Sequence, residues 1–186
     1  LDRAAHLVPK KVMDRRVDIW PAMLAATPIH VQGPRALLHS DVHIGNWYRT
    51  GGDVPRLEPP RMAPPRMGPP RMGLCDWQCL TKGHWSRDVA YMLSAALAPQ
   101  DRAAWERELL RRYLERLGVR AGVKLAFDES FDHYRRQMLH ALWMWTITLC
   151  HSPFLPAMQT EDTSLAMIER MTTAMADLDS IDAALR

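Results

Sequence analysis

Residues 59–73 read PPRMA, PPRMG, PPRMG, three five-residue units in tandem, and neither a helix nor a central strand can run through their Pro-Pro pairs. Each Pro-Pro pair removes two backbone donors, and each proline biases the residue before it toward extended geometry. Neither a helix nor a central strand survives such a segment. Seven of the chain's 14 prolines lie between Pro55 and Pro70. The repeat is read as a tandem duplication inserted in a surface loop, and it separates a short leading part from a long trailing one.

The trailing part is helical by periodicity. Residues 86–97 carry Val89, Ala90, Leu93, Ala96 and Leu97 at helical spacing. Residues 101–117 place Trp105, Leu109, Tyr113 and Leu117 near one face, with Gly118 as the expected C-terminal cap. A longer helix is expected from Asp128 to about Cys150, its second half in the core, followed by a break at Ser152-Pro153. A last helix over 163–184 shows the stripe Leu165, Ile168, Met171, Met175, Leu178 and Ile181. In the leading part, residues 2–26 are helical in part, with Pro21 interrupting. Trp47-Tyr48 begins one strand and Met72 to Cys75 forms a second, so the repeat hangs from the tip of a hairpin. The expected class is α+β, mostly α, in one domain over 1–186.

Charge and hydropathy exclude several roles. Lys plus Arg number 24 against 21 acidic residues, a formal +3 with no concentrated basic stripe, so no nucleic-acid partner is expected. The longest strongly apolar stretch, Met138 to Cys150, is 13 residues and contains His140, too short to span a bilayer; no membrane partner is expected. Cys75, Cys79 and Cys150 make no disulfide scaffold, which favours a reduced, cytoplasmic compartment. The chain begins Leu-Asp-Arg without an initiator Met or a signal-peptide pattern, and so reads as a fragment or a processed product.

Chemistry concentrates in Leu38-His39-Ser40-Asp41-Val42-His43-Ile44-Gly45-Asn46. Asp41 and Asn46 are five apart, the spacing of a catalytic-loop acid and a metal-binding asparagine in kinases. Further on, Leu74-Cys75-Asp76-Trp77-Gln78 puts an isolated acid at the end of an apolar strand. Phosphoryl transfer needs an acceptor hydroxyl held in line with the γ-phosphate, and cations across the phosphate oxygens. Asp41 suits the first task. Asn46 and Asp76 are hard oxygen ligands of the kind Mg²⁺ takes. Gly45 is expected to let the loop turn tightly, and His39 to brace it.

This pattern resembles the aminoglycoside phosphotransferase and choline kinase-like group, small-molecule kinases on the protein-kinase fold. Their loop runs H-G-D-x-H-x-x-N and their metal aspartate sits in I-D-W or I-D-F. By that resemblance the chain is the C-terminal lobe of a kinase-like fold, whose small β-hairpin carries the metal site. Asp41 and His39 are implied as the catalytic pair, and Asn46 and Asp76 as the residues holding Mg²⁺ and, through it, ATP. His43 and Asp88 stand behind them. Asp88 lies in Arg87-Asp88-Val89-Ala90-Tyr91, which is similar to the family's R-D-L-A at a helix start, where the acid supports the loop from below. The implied reaction moves the γ-phosphate of ATP to a hydroxyl of a small acceptor. Ser40 replaces the family's glycine, a departure that strains the backbone only if this position takes a positive φ. The repeat also stretches the Asp41–Asp76 separation to 35 residues.

A kinase further needs a glycine-rich strand pair and a strand lysine paired to a helix glutamate. Gly33 is the sole glycine before His39, so this nucleotide lobe is expected upstream. The competing reading is a non-catalytic kinase-like lobe, a binding module or the remnant of a decayed gene. A zinc site at His39-x3-His43 with Asp41, helped by Cys75 or Cys79, ranks below both; Cys75 reads better as a small buried residue. Of Trp143 and Trp145, one is expected in the core and one at an acceptor pocket. Met171 and Met175 are core, His84 is a candidate for the site's rim, and Glu106 to Glu115 form a solvated charged face.

Overall fold

The computed structural model describes residues 1–33, 35–50, 71–150, 152, 154 and 156–186. The leading part is a run of short helical pieces, of which α1 (Lys10–Met13) and α2 (Ile19–Ala26) are α-helical. Pro21 falls in the first turn of α2, where its missing N–H costs no intrahelical bond. Then come β1 (Arg35–Leu38), β2 (Trp47–Thr50), β3 (Arg71–Leu74) and β4 (Thr81–His84), followed by α3 (Ser86–Ala96), α4 (Pro99–Ala121), α5 (Phe127–Leu149), α6 (Glu161–Asp177) and α7 (Ser180–Leu185). The chain is mostly helical with a small β region of two sheets. No described helix is long and apolar enough to cross a membrane.

The strands form two antiparallel pairs, one nested in the other along the chain. β2 pairs with β3 in the register Trp47↔Leu74 to Thr50↔Arg71. β1 pairs with β4, from Arg35↔His84 to Leu38↔Thr81. Nesting has a direct consequence: the loop leaving β1 (39–46) and the loop leaving β3 (75–80) must meet between the two ladders. Gly73 fits this packing because the Tyr48 ring covers it, and a Cβ there would lie 2.4 Å from the ring. The β2–β3 hairpin agrees with the sequence expectation, whereas the β1–β4 pair is visible there only as the run Ala36-Leu37-Leu38. The expected hairpin tip, with most of the Pro-Pro-Arg-Met repeat, falls in 51–70, outside the described residues.

Helix α5 is the centre of the core, packed by α2, α3, α6 and α7. Its residues Tyr134, Met138, Ala141, Leu142 and Trp145 are buried, as are Ile168, Met171 and Met175 of α6. Three expectations change in the helical part. First, α4 continues past Gly118 to Ala121, and the left-handed cap is Gly122 at φ 66°. Second, the buried stripe of α4 is Arg102, Glu106, Leu110 and Leu114, while Trp105 is half exposed. Glu106 is therefore not on a solvated face: Arg102 donates to it at 2.5 Å and the Tyr134 hydroxyl at 2.9 Å, and Arg102 also binds Asp177. Charges that neutralise each other inside the core leave no hydrophobic signal in the sequence. Third, the last helix is two. α6 stops at Asp177, Asp179 takes φ 50° as the N-cap of α7, and Lys11 holds its carboxylate at 2.5 Å.

Candidate active site

Two loops carry the chemistry; two hydrogen bonds lock them together and a carboxylate of α3 holds the first from below. The backbone N–H of Cys75 donates to the Asn46 carbonyl at 2.9 Å. His39, 2 % exposed, accepts from the Asp41 N–H on Nδ1 at 3.3 Å, so its proton sits on Nε2 and donates to the Cys75 carbonyl at 2.7 Å. Below them, the Asp88 carboxylate at the start of α3 accepts from the N–H of His39 at 2.6 Å and of Ser40 at 3.2 Å. Burial raises the pKa of Asp88, against the pull of these amides and of Arg87. His39 thus has both ring nitrogens committed to backbone and positions Asp41 and Asp76; it does not reach into the open site.

Asp41 is held from three sides. Tyr91 of α3 donates its hydroxyl to Oδ1 at 3.2 Å, and the Asn46 amide donates to Oδ2 at 3.3 Å and to the Asp41 carbonyl at 2.8 Å. His43 accepts from the Gly45 N–H on Nδ1, which leaves Nε2–H aimed at Asp41 Oδ2 from 3.6 Å, an electrostatic contact longer than a hydrogen bond. His43, then Tyr91 and Asn46, lower the Asp41 pKa although partial burial opposes them. At neutral pH the group is a carboxylate. The same charge, added to burial, pushes the Tyr91 hydroxyl well up, so Tyr91 stays a donor. Tyr91 went unread in the sequence, yet its signal is there: it stands three residues after Asp88 on one helix, close to the same face. Trp145 is buried beside the His43 ring, at 5.7 Å between centroids, while Trp143 is half exposed against Trp20.

Two residues of these loops take backbone conformations that side chains avoid. Ser40 has φ 69° and Asp76 φ 59°. Ser40 stands where the resemblance expects glycine, and its buried hydroxyl has no partner among the described residues. Gly45 corrects the sequence reading. Its φ is not positive, and what it provides is room, since a Cβ would lie 2.9 Å from the His43 ring.

The implied magnesium can be tested against the donors. The Asn46 amide nitrogen is committed to Asp41, so Oδ1 faces away, with no partner among the described residues. Asp76 is exposed one residue beyond the Cys75–Asn46 link. An amide oxygen and a carboxylate are donors of the kind Mg²⁺ takes, usually with substrate phosphates and water as its other ligands. Among the described residues no three His, Cys, Asp or Glu side chains cluster as a metal group. Zinc at His39 and His43 loses its ligands as well, because His39 spends both nitrogens on backbone. Cys75 is exposed, not buried, with Sγ 3.3 Å from the Asn46 carbonyl. His84 lies away from the rim, 1 % exposed, bound to Ser86 at 2.7 Å and packed on His133. The chain matches no protein-family model, no curated protein and no solved structure.

Proposed function

We propose that this chain is the acceptor and metal lobe of a small-molecule kinase, moving the γ-phosphoryl group of ATP to a hydroxyl of a small acceptor. The observation that carries this reading is the Asp41–Asn46 unit: an ionised carboxylate and an amide tied to each other, linked through Cys75 to the Asp76 loop and carried from below by Asp88. Asp41 accepts the hydrogen bond of the acceptor hydroxyl and aims its oxygen. Its lowered pKa makes it a weak base, which suits a loose transition state, where the hydroxyl proton becomes acidic only as the new P–O bond forms. Asn46 Oδ1 and the Asp76 carboxylate would hold Mg²⁺, whose charge would offset that of the transferred phosphoryl group. His39 fixes the spacing of the two loops, and Tyr91 fixes the carboxylate's rotation.

One observation favours the competing reading, a non-catalytic kinase-like binding module. Among the described residues no strand lysine pairs with a helix glutamate; Lys82, in β4, makes no ion pair there. A nucleotide clamp then has to come from another lobe. The test is transfer of labelled phosphate from ATP to a panel of hydroxylated acceptors by the full-length gene product. Turnover is expected, with Asp41→Ala losing about 10²–10⁴-fold, the usual contribution of a positioned acid–base group. Asp76→Ala is expected to weaken Mn²⁺ binding in a spin-resonance titration. Undiminished transfer by Asp41→Ala overturns the role of Asp41, and no transfer to any acceptor leaves the binding module as the better reading.

A further inference from the structure

We propose that a donor-lined cavity between α2 and α5, away from Asp41, binds the carboxylate of a small amphipathic molecule. The cavity has a volume of about 160 Å³, and His30, Arg136, Gln137 and His140 supply its polar wall. Hydrogen-bond accounting at this wall comes out one-sided. Arg87 Nε donates to His140 Nε2 at 2.8 Å, and since a guanidinium cannot accept, the His140 proton is on Nδ1, with no acceptor among the described residues. Gln137, 1 % exposed, accepts on Oε1 from His30 Nε2 at 2.9 Å, and its Nε2 amide group is buried without a partner. Arg136 Nε is buried without a partner too, while its Nη2 pairs with Asp132 at 2.5 Å. Three donor groups at this wall therefore lack a partner among the described residues, Gln137 Nε2 and Arg136 Nε being buried within it, while the Thr27 hydroxyl and His30 Nδ1 are its side-chain acceptors. Buried donors are rarely left unmatched in native proteins, so this wall suits a group rich in acceptors.

The donor surplus, not net charge, favours a carboxylate. Arg87 and Arg136 bring two positive charges to this region, offset by Asp132, which pairs with Arg136, and by Asp88, whose charge acts on Arg87. Burial, reinforced by the charge of Arg87, keeps both His30 and His140 neutral, so neither imidazole adds a charge to the wall. A second cavity of about 240 Å³ adjoins and gives the ligand its apolar half. Ile19, Trp20, Leu139 and Leu142 line it, Met23 and Trp143 are walls of both cavities, and Asp2 and Arg16 stand at its edge. Half-exposed Trp20 and Trp143 pack as a tilted pair, 5.1 Å between centroids, which is costly surface to leave in water. A free phosphate would use the first cavity only. A carboxylate with an aliphatic or aromatic body uses both.

This inference is independent of the phosphotransfer reading, and its test leaves Asp41 alone. The full chain is titrated with octanoate, octanol and acetate, read by tryptophan fluorescence and by calorimetry. Octanoate is expected to bind saturably, with octanol and acetate each weaker by about tenfold or more, because each lacks one half of the contacts. Gln137→Glu places a carboxylate against the ligand's own and is expected to cost octanoate at least about tenfold. Arg136→Gln, at a partly exposed position, gives a second variant that weakens octanoate and leaves octanol unchanged. Absence of saturable octanoate binding means that water alone fills the cavity and overturns the proposal. Equal binding of octanoate and octanol, or octanoate affinity unchanged in both folded variants, overturns it as well.

Discussion

Replacing Ser40 by glycine should stabilise this protein, and the size of the gain follows from the site. Ser40 sits at φ 69° and its hydroxyl is buried without a partner. Removing the Cβ from a left-handed residue relieves about 1–2 kcal/mol. Deleting an unmatched buried hydroxyl relieves about 1–3 kcal/mol of desolvation. The extra freedom of glycine in the unfolded chain opposes both by about 0.4–1 kcal/mol. The net expectation is a gain of about 1–4.5 kcal/mol, which for a chain of this length raises Tm by about 2–4 °C per kcal/mol. The N–H groups of His39 and Ser40 still reach Asp88, so the loop keeps its support. Ser40→Ala separates the two causes, because alanine loses the hydroxyl but keeps the Cβ, and glycine should exceed it by about 1 kcal/mol. Urea unfolding followed by helical circular dichroism gives both differences, with an unchanged slope showing that the unfolded state is comparable. A glycine variant no more stable than the alanine variant would refute the assignment of backbone strain at this position.

Acid should loosen the core well before carboxylates titrate. Burial lowers the pKa of His84 to about 4 and of His140 to about 3, from 6.5. A depressed folded pKa means that the unfolded chain binds the proton better, so this stability is complete above pH 6.5 and lost as pH falls toward those values. At about 1.4 kcal/mol per pH unit and group, the two together cost about 4 kcal/mol at pH 5. A flat urea midpoint between pH 7 and 5 would contradict this. Arg102→Ala leaves Glu106 buried beside Tyr134 without its cation and should cost about 3–5 kcal/mol, whereas replacing Arg102 and Glu106 together by leucine should recover most of it. Thermal melting of the three proteins decides, and a single-variant loss below about 1 kcal/mol would remove the buried pair from the account.

Local pattern determined much of this protein. Helical spacing from residue 86 onward, the stripe Ile168–Met171–Met175 and the strands on either side of the proline repeat follow from neighbours in sequence, because periodicity and backbone restriction act over a few residues. The residue types of the candidate site were legible for a related reason: Asp41, Asn46 and Asp76 stand out within short motifs, and the family resemblance adds Asp88. Only the tertiary structure decided what those residues touch. That β1 and β4 enclose β2 and β3, and so bring two loops together, depends on pairings across more than 40 residues. That Ser40 is strained, Cys75 exposed and His84 buried depends on which side each loop presents to α3 and α5. Glu106 shows the limit most plainly. A carboxylate reads as surface by composition, and here a guanidinium from its own helix and a tyrosine from the next make it core. Burial of charge depends on partners that meet only when the chain is folded, and no local pattern records them.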